Sequence, residues 1–184
     1  VLWIEASPEV FPVLENNLRA YPEQSAIRAL ITDTDDSVHA FHLANNGGQS
    51  SSIFDLAAHR ELWPEVGYTG DITLRSRTLD RVLREAGFGP GDFDALVLDV
   101  QGAELLVLAG AGEWLEHFRF IQAEAADFEA YQGACTLATI TSFLRTRGFA
   151  ECHRVAFAGR AGLGHYYDVV FKRVRPRSGA APKR

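Results

Sequence analysis

The sequence predicts an α/β fold: a Rossmann-like, mostly parallel sheet with a reversed strand at its C-terminal side. Three observations carry this. Residues 93–111 read as strand, acid, tight turn and helix. Ala95–Leu98 is a short aliphatic run of the kind seen in strands buried on both faces, Asp99 closes it, Gly102 permits a turn, and apolar side chains recur from Ala103 to Leu108. Strand-like and helix-like segments alternate along the chain, the pattern of a parallel sheet covered by helices. Finally, two strand-like runs at 149–157 and 166–171 follow one another across a glycine-rich connection at 158–164, which reads as an antiparallel hairpin.

The other elements follow in order. Residues 1–4 read as a strand ending in Glu5. Ser7 is placed to cap a helix with Pro8 as its first residue, running to about Ala20 with Val10, Leu14 and Leu18 on one face. Residues 26–31 form a second strand closed by Thr32 and Asp33, and an aspartate-rich turn leads to an alternating strand at 38–43, with His39 and His42 expected on its exposed face. A polar, glycine-rich loop at 45–52 precedes a short helix within 54–63 and a strand at 72–75. Thr78 opens a helix at 79–86, which a glycine-rich stretch at 87–91 ends. After the central strand, its helix extends to about Leu115. A strand at 118–123 carries Glu124 at its end, and an amphipathic helix at 137–147 stops at Gly148. Residues 1–173 form one domain in this reading. Residues 174–184, basic and rich in Pro, Gly and Ala, form a disordered tail.

Composition bounds the function. The chain has 184 residues, enough for one domain with a real core. Its net charge of -6 supplies no cationic field for a nucleic acid. There is neither an apolar run long enough for a membrane span nor a signal-peptide pattern. Cys135 and Cys152 make no disulfide scaffold and lack metal-ligand spacing, so no metal site is expected and a reduced, cytoplasmic protein is. The sequence opens directly into a strand and holds no methionine, from which a natural start further upstream is expected. The oligomeric state is not set by the sequence.

In open α/β sheets ligands bind beyond the carboxyl ends of the strands, so the acids there are the candidates. Glu5 can accept hydrogen bonds from both hydroxyls of a ribose, or simply favour the positive end of the following helix. Asp33 can meet the amine of an adenine or serve only as a turn former. Asp99 ends an aliphatic strand, so its carboxylate faces the crevice or is paired; it can orient a substrate hydroxyl or a cofactor amine. Glu104 lies in a first helical turn, where capping is the competing role. Glu124 heads a polar group with Asp127, Glu129 and Tyr131, one of which can act as general base toward a hydroxyl. Ser50 and Ser51 can bind the carboxylate end of a cofactor or close over substrate, and His165 can line the crevice. No P-loop and no serine-histidine-acid triad order is present.

The ordered set Trp3-Ile-Glu-Ala-Ser-Pro8, the serine-rich loop at 46–52, Thr78-Leu-Asp80, Leu98-Asp-Val-Gln-Gly-Ala-Glu104, Val107-Leu-Ala-Gly-Ala111, Ile121-Gln-Ala-Glu124 and Gly148-Phe149 resembles the FkbM family of S-adenosylmethionine-dependent methyltransferases. That family usually has Glu where this chain has Gln101. The resemblance implies a class I methyltransferase fold and O-methyl transfer onto a hydroxyl of a sugar or other small molecule. It implies S-adenosylmethionine as cofactor, with Glu5 on the ribose, Asp33 near the adenine, and Asp99 near the methionine or reacting end. Asp99, Glu124 and His165 are the expected catalytic residues. In the family a first strand and a glycine-rich turn precede the segment matching Trp3. The resemblance therefore implies an additional strand between that of Leu2 and that of Val97, with this sequence truncated at its N-terminal side or degenerate. Two other classes stand beside it: a noncatalytic Rossmann-like binding or scaffolding module, which the missing turn favours, and a nicotinamide-dependent oxidoreductase, which the closing hairpin disfavours.

Overall fold

A computed structural model describes residues 1–174; the tail expected at 174–184 lies, from residue 175 onward, outside the described residues. Among the described residues the fold is mixed α/β with three sheets. β1 (Leu2–Glu5) pairs in parallel with β2 (Ser25–Arg28). β3 (Leu30–Ile31) pairs in parallel with the end of β5 (Tyr68–Arg77), whose other edge takes β4 (Val38–Ala44) antiparallel. β6 (Ala95–Leu98), β7 (Phe120–Ala126), β8 (Phe149–Arg160) and β9 (Gly164–Arg173) form a sheet in the order β6-β7-β9-β8. β6 is parallel to β7, and β9 runs antiparallel to both its neighbours.

The single, mostly parallel sheet expected from the alternation is not what pairs. Three pairings are parallel, but the long ladders, β4–β5, β7–β9 and β8–β9, are antiparallel. The run 26–31, expected as one strand, divides at Ala29: its first part stays with β1 and its last two residues turn to β5. The closing hairpin is also longer than its apolar pattern, because residues 158–160 and 164–165 pair in register and leave only three residues in the loop. Gly164 makes this possible: its φ is 135°, and a side chain there would run into the carboxylate of Asp127.

The first helix, α1 (Phe11–Leu18), starts later than expected. The Ser7 hydroxyl accepts the amides of Glu9 and Val10 at 3.2 and 3.3 Å, which turns the chain once before the helix begins. Pro12, not Pro8, occupies the first turn, where a missing N–H costs little. α2 (Leu79–Glu85) follows its sequence signal closely, with the Thr78 hydroxyl accepting the Arg81 amide at 3.2 Å. The helix after β6 is shorter than expected: α3 (Glu104–Ala109) gives way to a 3₁₀ segment, Gly112–Glu116. α4 (Leu137–Thr146) lies between β7 and β8 in the chain, and the short helix expected within 54–63 is a 3₁₀ turn, Ala58–Glu61.

The main core gathers Trp114, Leu108, Ile121, Ile140, Leu144, Val169 and Phe171, joining the helices to one face of the strands. Leu96 and Leu98 of β6 belong to it. Val97, between them, is 67% exposed, and Trp3 on β1 is 46% exposed. The central run is therefore buried on one face only; four aliphatic residues carry no alternation by which the sequence could have told the two cases apart. β1 pairs with β2 and β6 with β7, so among the described residues each has one unpaired edge.

Where the chain passes from α3 toward the 3₁₀ segment, Gly110 packs directly on the carbonyl of Thr32. That oxygen is backbone and cannot move aside as a flexible side chain would. Gly110→Ala is therefore expected to destabilise the fold by about 1–3 kcal/mol. Gly67→Ala, with open space around its Cα, serves as the control. Urea unfolding of the two variants checks this, and equal midpoints would contradict the contact.

Candidate active site

The register of the four-stranded sheet sets three acids side by side. Leu98 of β6 lies opposite Ala123 of β7, and Glu124 lies opposite Asp168 of β9. Asp99, Glu124 and Asp168 thus form a row across three adjacent strands. Alternation places Asp99 on the face of exposed Val97, and Glu5, ending β1, on the face of exposed Trp3. Glu5 and Asp99 are near enough to interact. The Glu5 carboxyl is pushed up by burial, held back by the amides of Ser7 and Ala6, and pushed up further by the charge of Asp99. The Ser7 amide donates to Glu5 at 2.6 Å, occupying one of its two oxygens. None of the ion pairs formed among the described residues involves Glu5, Asp99, Glu124 or Asp168.

The turn after β6 brings a fifth polar group among them. Gln101 takes a left-handed φ of 50° and Gly102 a φ of 99°. The Gln101 amide nitrogen donates to Asp99 at 2.5 Å and to Glu124 at 3.5 Å, and its oxygen accepts the Tyr131 hydroxyl at 2.5 Å. Behind the turn, the buried Glu104 accepts the amides of Val100 and Gly102, both at 3.2 Å, and receives the Cys135 thiol on its other oxygen. Glu104 is therefore more than a dipole-matched helix start: it is the internal support of the turn. A cavity of about 20 Å³, room for one water molecule, lies among Gln101, Glu104, Glu124, Tyr131, Cys135 and Tyr166.

The acids respond to this crowding. Burial pushes Glu124 up to about 7, with the charges of Asp99, Asp168 and Glu104 adding to it and the Gln101 hydrogen bond opposing. Burial also raises Asp99, opposed by its bond to Gln101 and helped by the charge of Asp168. Glu104 is raised by burial against the hydrogen bonds it accepts. Cys135, buried beside Glu104, is pushed up to about 12 and so stays a thiol.

The 45–52 loop closes one flank. The Ser52 hydroxyl donates to the Gln101 carbonyl at 2.7 Å and accepts the Phe54 amide. Ser51 is buried, its hydroxyl accepting the Ala44 amide at 3.0 Å. Ser50 meets His59 Nε2 at 3.2 Å, while His59 Nδ1 meets the Tyr166 hydroxyl at 2.7 Å. Trp63, Tyr131 and Tyr166 pack around that ring, and burial drives its pKa down to about 4 against the pull of Glu65.

Of the acids singled out in the sequence, the structure brings together Glu5, Asp99, Glu104 and Glu124. Glu124 sits within β7 rather than at its end, two residues from the strand's last residue. Asp33 is exposed beyond β3 and touched by the Thr34 hydroxyl. His165 is exposed on β9, its ring lying over Gly159 of β8. His42 is not on an exposed face: its side chain is 14% exposed, 2.6 Å from Asp71 and stacked on Tyr68. Two neighbours, Asp168 and His59, were not singled out; Tyr131 was named only as a member of the polar group after Glu124. Asp168 is an acid in a run of aromatic and aliphatic residues, a visible signal whose meaning depends on strand register. Tyr131 and His59 gave no signal of their contacts.

Residues 1–151 match the family model of the methyltransferase FkbM domain. The chain belongs to the FkbM methyltransferase family. The matched segment of this FkbM domain includes Glu5, Asp99, Gln101, Glu104 and Glu124, and it ends within β8, before Asp168. The 2-O-methyltransferase NoeI of Sinorhizobium fredii (strain NBRC 101917 / NGR234) is 31% identical over 146 residues, covering 76% of this chain and 59% of that protein. The chain thus matches less than two thirds of the relative's length. No solved structure matches it.

His59 gives the loop a pH signature. It is neutral in the folded state until about pH 4, whereas in the unfolded chain it takes a proton near 6.5. Its contribution to stability is complete above pH 6.5 and falls as the pH drops toward 4. Glu124, raised in the folded state, works in the opposite sense over much of this range. The difference between wild type and His59→Asn therefore isolates the histidine. Urea midpoints of the two proteins are expected to converge as pH falls from 7 to 4.5, and a constant difference would contradict a buried neutral His59.

Proposed function

We propose that this domain is an S-adenosylmethionine-dependent O-methyltransferase acting on a hydroxyl of a sugar or other small molecule. The observation that carries this reading is the group of mutually interacting carboxylates Glu5, Asp99, Glu124 and Asp168, the first two at the ends of β1 and β6, without a basic partner among the described residues. Such a group is costly unless a cation or hydroxyl-rich ligand joins it. S-adenosylmethionine fits these acceptors: it carries a sulfonium, an ammonium and a ribose diol. Glu5 has an oxygen left for the diol, and Asp99 suits the ammonium. The cofactor supplies an electrophilic methyl group when bound. The name of NoeI, a 2-O-methyltransferase, supports oxygen as the acceptor atom.

The protein's own part is to bind, align and accept a proton. Alignment of a hydroxyl with the methyl group supplies much of the rate. Glu124, with a pKa of about 7, is poised to take the hydroxyl proton as the oxygen forms its new bond, since a base works best with a pKa near the operating pH. Asp99 and Glu124 have the stronger support as catalytic residues, because His165 is turned over Gly159. Ser51 has less support in cofactor binding, because its hydroxyl is engaged by Ala44.

We further infer a class I arrangement, in which β2-β1 and β6-β7-β9-β8 are two parts of one sheet and an extended segment lies between β1 and β6. The free edges of those two strands, with interacting carboxylates at their ends, support it. The same edges also favour the second reading, a noncatalytic module that pairs with another polypeptide. A cytoplasmic location accords with the free thiols of Cys135 and Cys152.

Calorimetric titration with S-adenosylmethionine separates the readings: binding supports the enzyme, and no binding overturns it. Glu5→Gln is expected to weaken that affinity about tenfold or more, the worth of a charged hydrogen bond. Glu124→Gln is expected to change that affinity less than Glu5→Gln does while lowering methyl transfer by about 10²–10⁴-fold, read by mass spectrometry on a panel of hydroxyl acceptors. An active Glu124→Gln protein would remove Glu124 from the role of base.

A further inference from the structure

Gln101 combines three features that the proposed reaction does not by itself explain: a left-handed backbone on a non-glycine residue, a side chain between two acids, and a tyrosine hydroxyl fixing its amide. The Tyr131 phenol is raised well above its usual range by burial and stays protonated. It therefore donates, and the Gln101 oxygen accepts. With its oxygen held by Tyr131, the amide must turn its NH₂ toward Asp99 and Glu124. The backbone is held as well, since Ser52 donates to the Gln101 carbonyl and Glu104 receives the amides on either side.

We propose that Gln101 is a positioning residue that divides the labour between Asp99 and Glu124, its amide binding the Asp99 carboxylate closely and leaving Glu124 as the group that takes up the proton. This rests on the active site proposed above. The two N–H···O distances differ by a full ångström, 2.5 Å to Asp99 and 3.5 Å to Glu124, so the stabilisation of negative charge is unequal. The other groups around Glu124 do not correct the imbalance. Asp168 faces it from β9, Asp99 from β6 and Glu104 from α3, all acids, and Tyr166 nearby is a protonated phenol. Two neighbouring carboxylates in unequal environments part in affinity for protons, and the weaker acid becomes the base near neutrality. A carboxylate at position 101 would remove the one side-chain donor that reaches both of them among the described residues and add a third charge to the group.

Carboxyl titration by ¹³C NMR on the full chain, with Asp and Glu labelled and Glu124 assigned through Glu124→Gln, tests this directly. In the wild type Glu124 is expected to titrate at about pH 7, well above Asp99. Q101E is expected to raise the Glu124 midpoint by about one pH unit, through an added like charge. Q101L is expected to raise Asp99 by a similar amount, through loss of its donor. Y131F, which frees the amide to turn over, is expected to raise Asp99 in the same direction. Unmoved midpoints in folded Q101E and Q101L, or only a loss of stability, would overturn the proposal. Calorimetry with S-adenosylmethionine on the same samples keeps the two questions apart. Absent binding in the wild type defeats the functional reading, while the midpoints still judge the positioning role. Where transfer is measurable, the rising limb of the pH-rate profile should follow the Glu124 midpoint upward in Q101E.

Discussion

The geometry of the site depends on one buried carboxylate, that of Glu104, accepting the amides of Val100 and Gly102. A buried carboxyl group is tolerated only where hydrogen bonds replace its water. Buried amides likewise need acceptors. Each satisfies the other, so the turn after β6 and the start of α3 form one unit. That unit holds Gln101 in a backbone conformation that costs about 1–2 kcal/mol for a residue with a side chain, and it directs Asp99 away from the core. From there the connections run outward: Ser52 ties the 45–52 loop to the turn, and Tyr131 fixes the side chain of Gln101.

The site is built at the expense of stability. Glu124 has a folded-state pKa of about 7 against an ordinary 4.5. A group raised in this way favours folding fully below pH 4.5, and that contribution is lost as pH rises through 7. At neutral pH the fold therefore carries a charge it would sooner not carry, and the helices packed on the opposite side of the sheet, around Trp114 and Ile140, offset it. Violations of local consistency are expected where a surface has been shaped for a ligand.

Much of the site was legible because it follows strands. Ile4 and Leu98 end short apolar runs, and the acids after them, Glu5 and Asp99, were found where they were sought. The Thr78 cap and α2 were legible for the same local reason. What the sequence hid was register and side. Asp168 enters the site only because β9 lies against β7 in one alignment, a long-range pairing that no local pattern records. Val97 proved open to solvent because burial belongs to the layers above a strand, not to the strand's own letters. Ala29 divides one apolar run between two sheets, and neither propensity nor periodicity marks the division. Gln101 was visible as a departure from the family's usual residue, but its bridging role depends on Tyr131, thirty positions away.

The two borders of the four-stranded sheet differ. β8 forms one border with twelve residues, but its ladder with β9 is interrupted by register shifts between Glu151 and His153 and between Ala156 and Ala158. Irregular steps of this kind, with charged side chains such as Arg154 and Arg160 along the strand, are how natural sheets prevent an outside strand from attaching. β6 has neither an irregular step nor a charge within its four residues. Among the described residues, then, the guarded border is that of β8, and the unguarded one, β6, lies beside Asp99, at the carboxylates themselves.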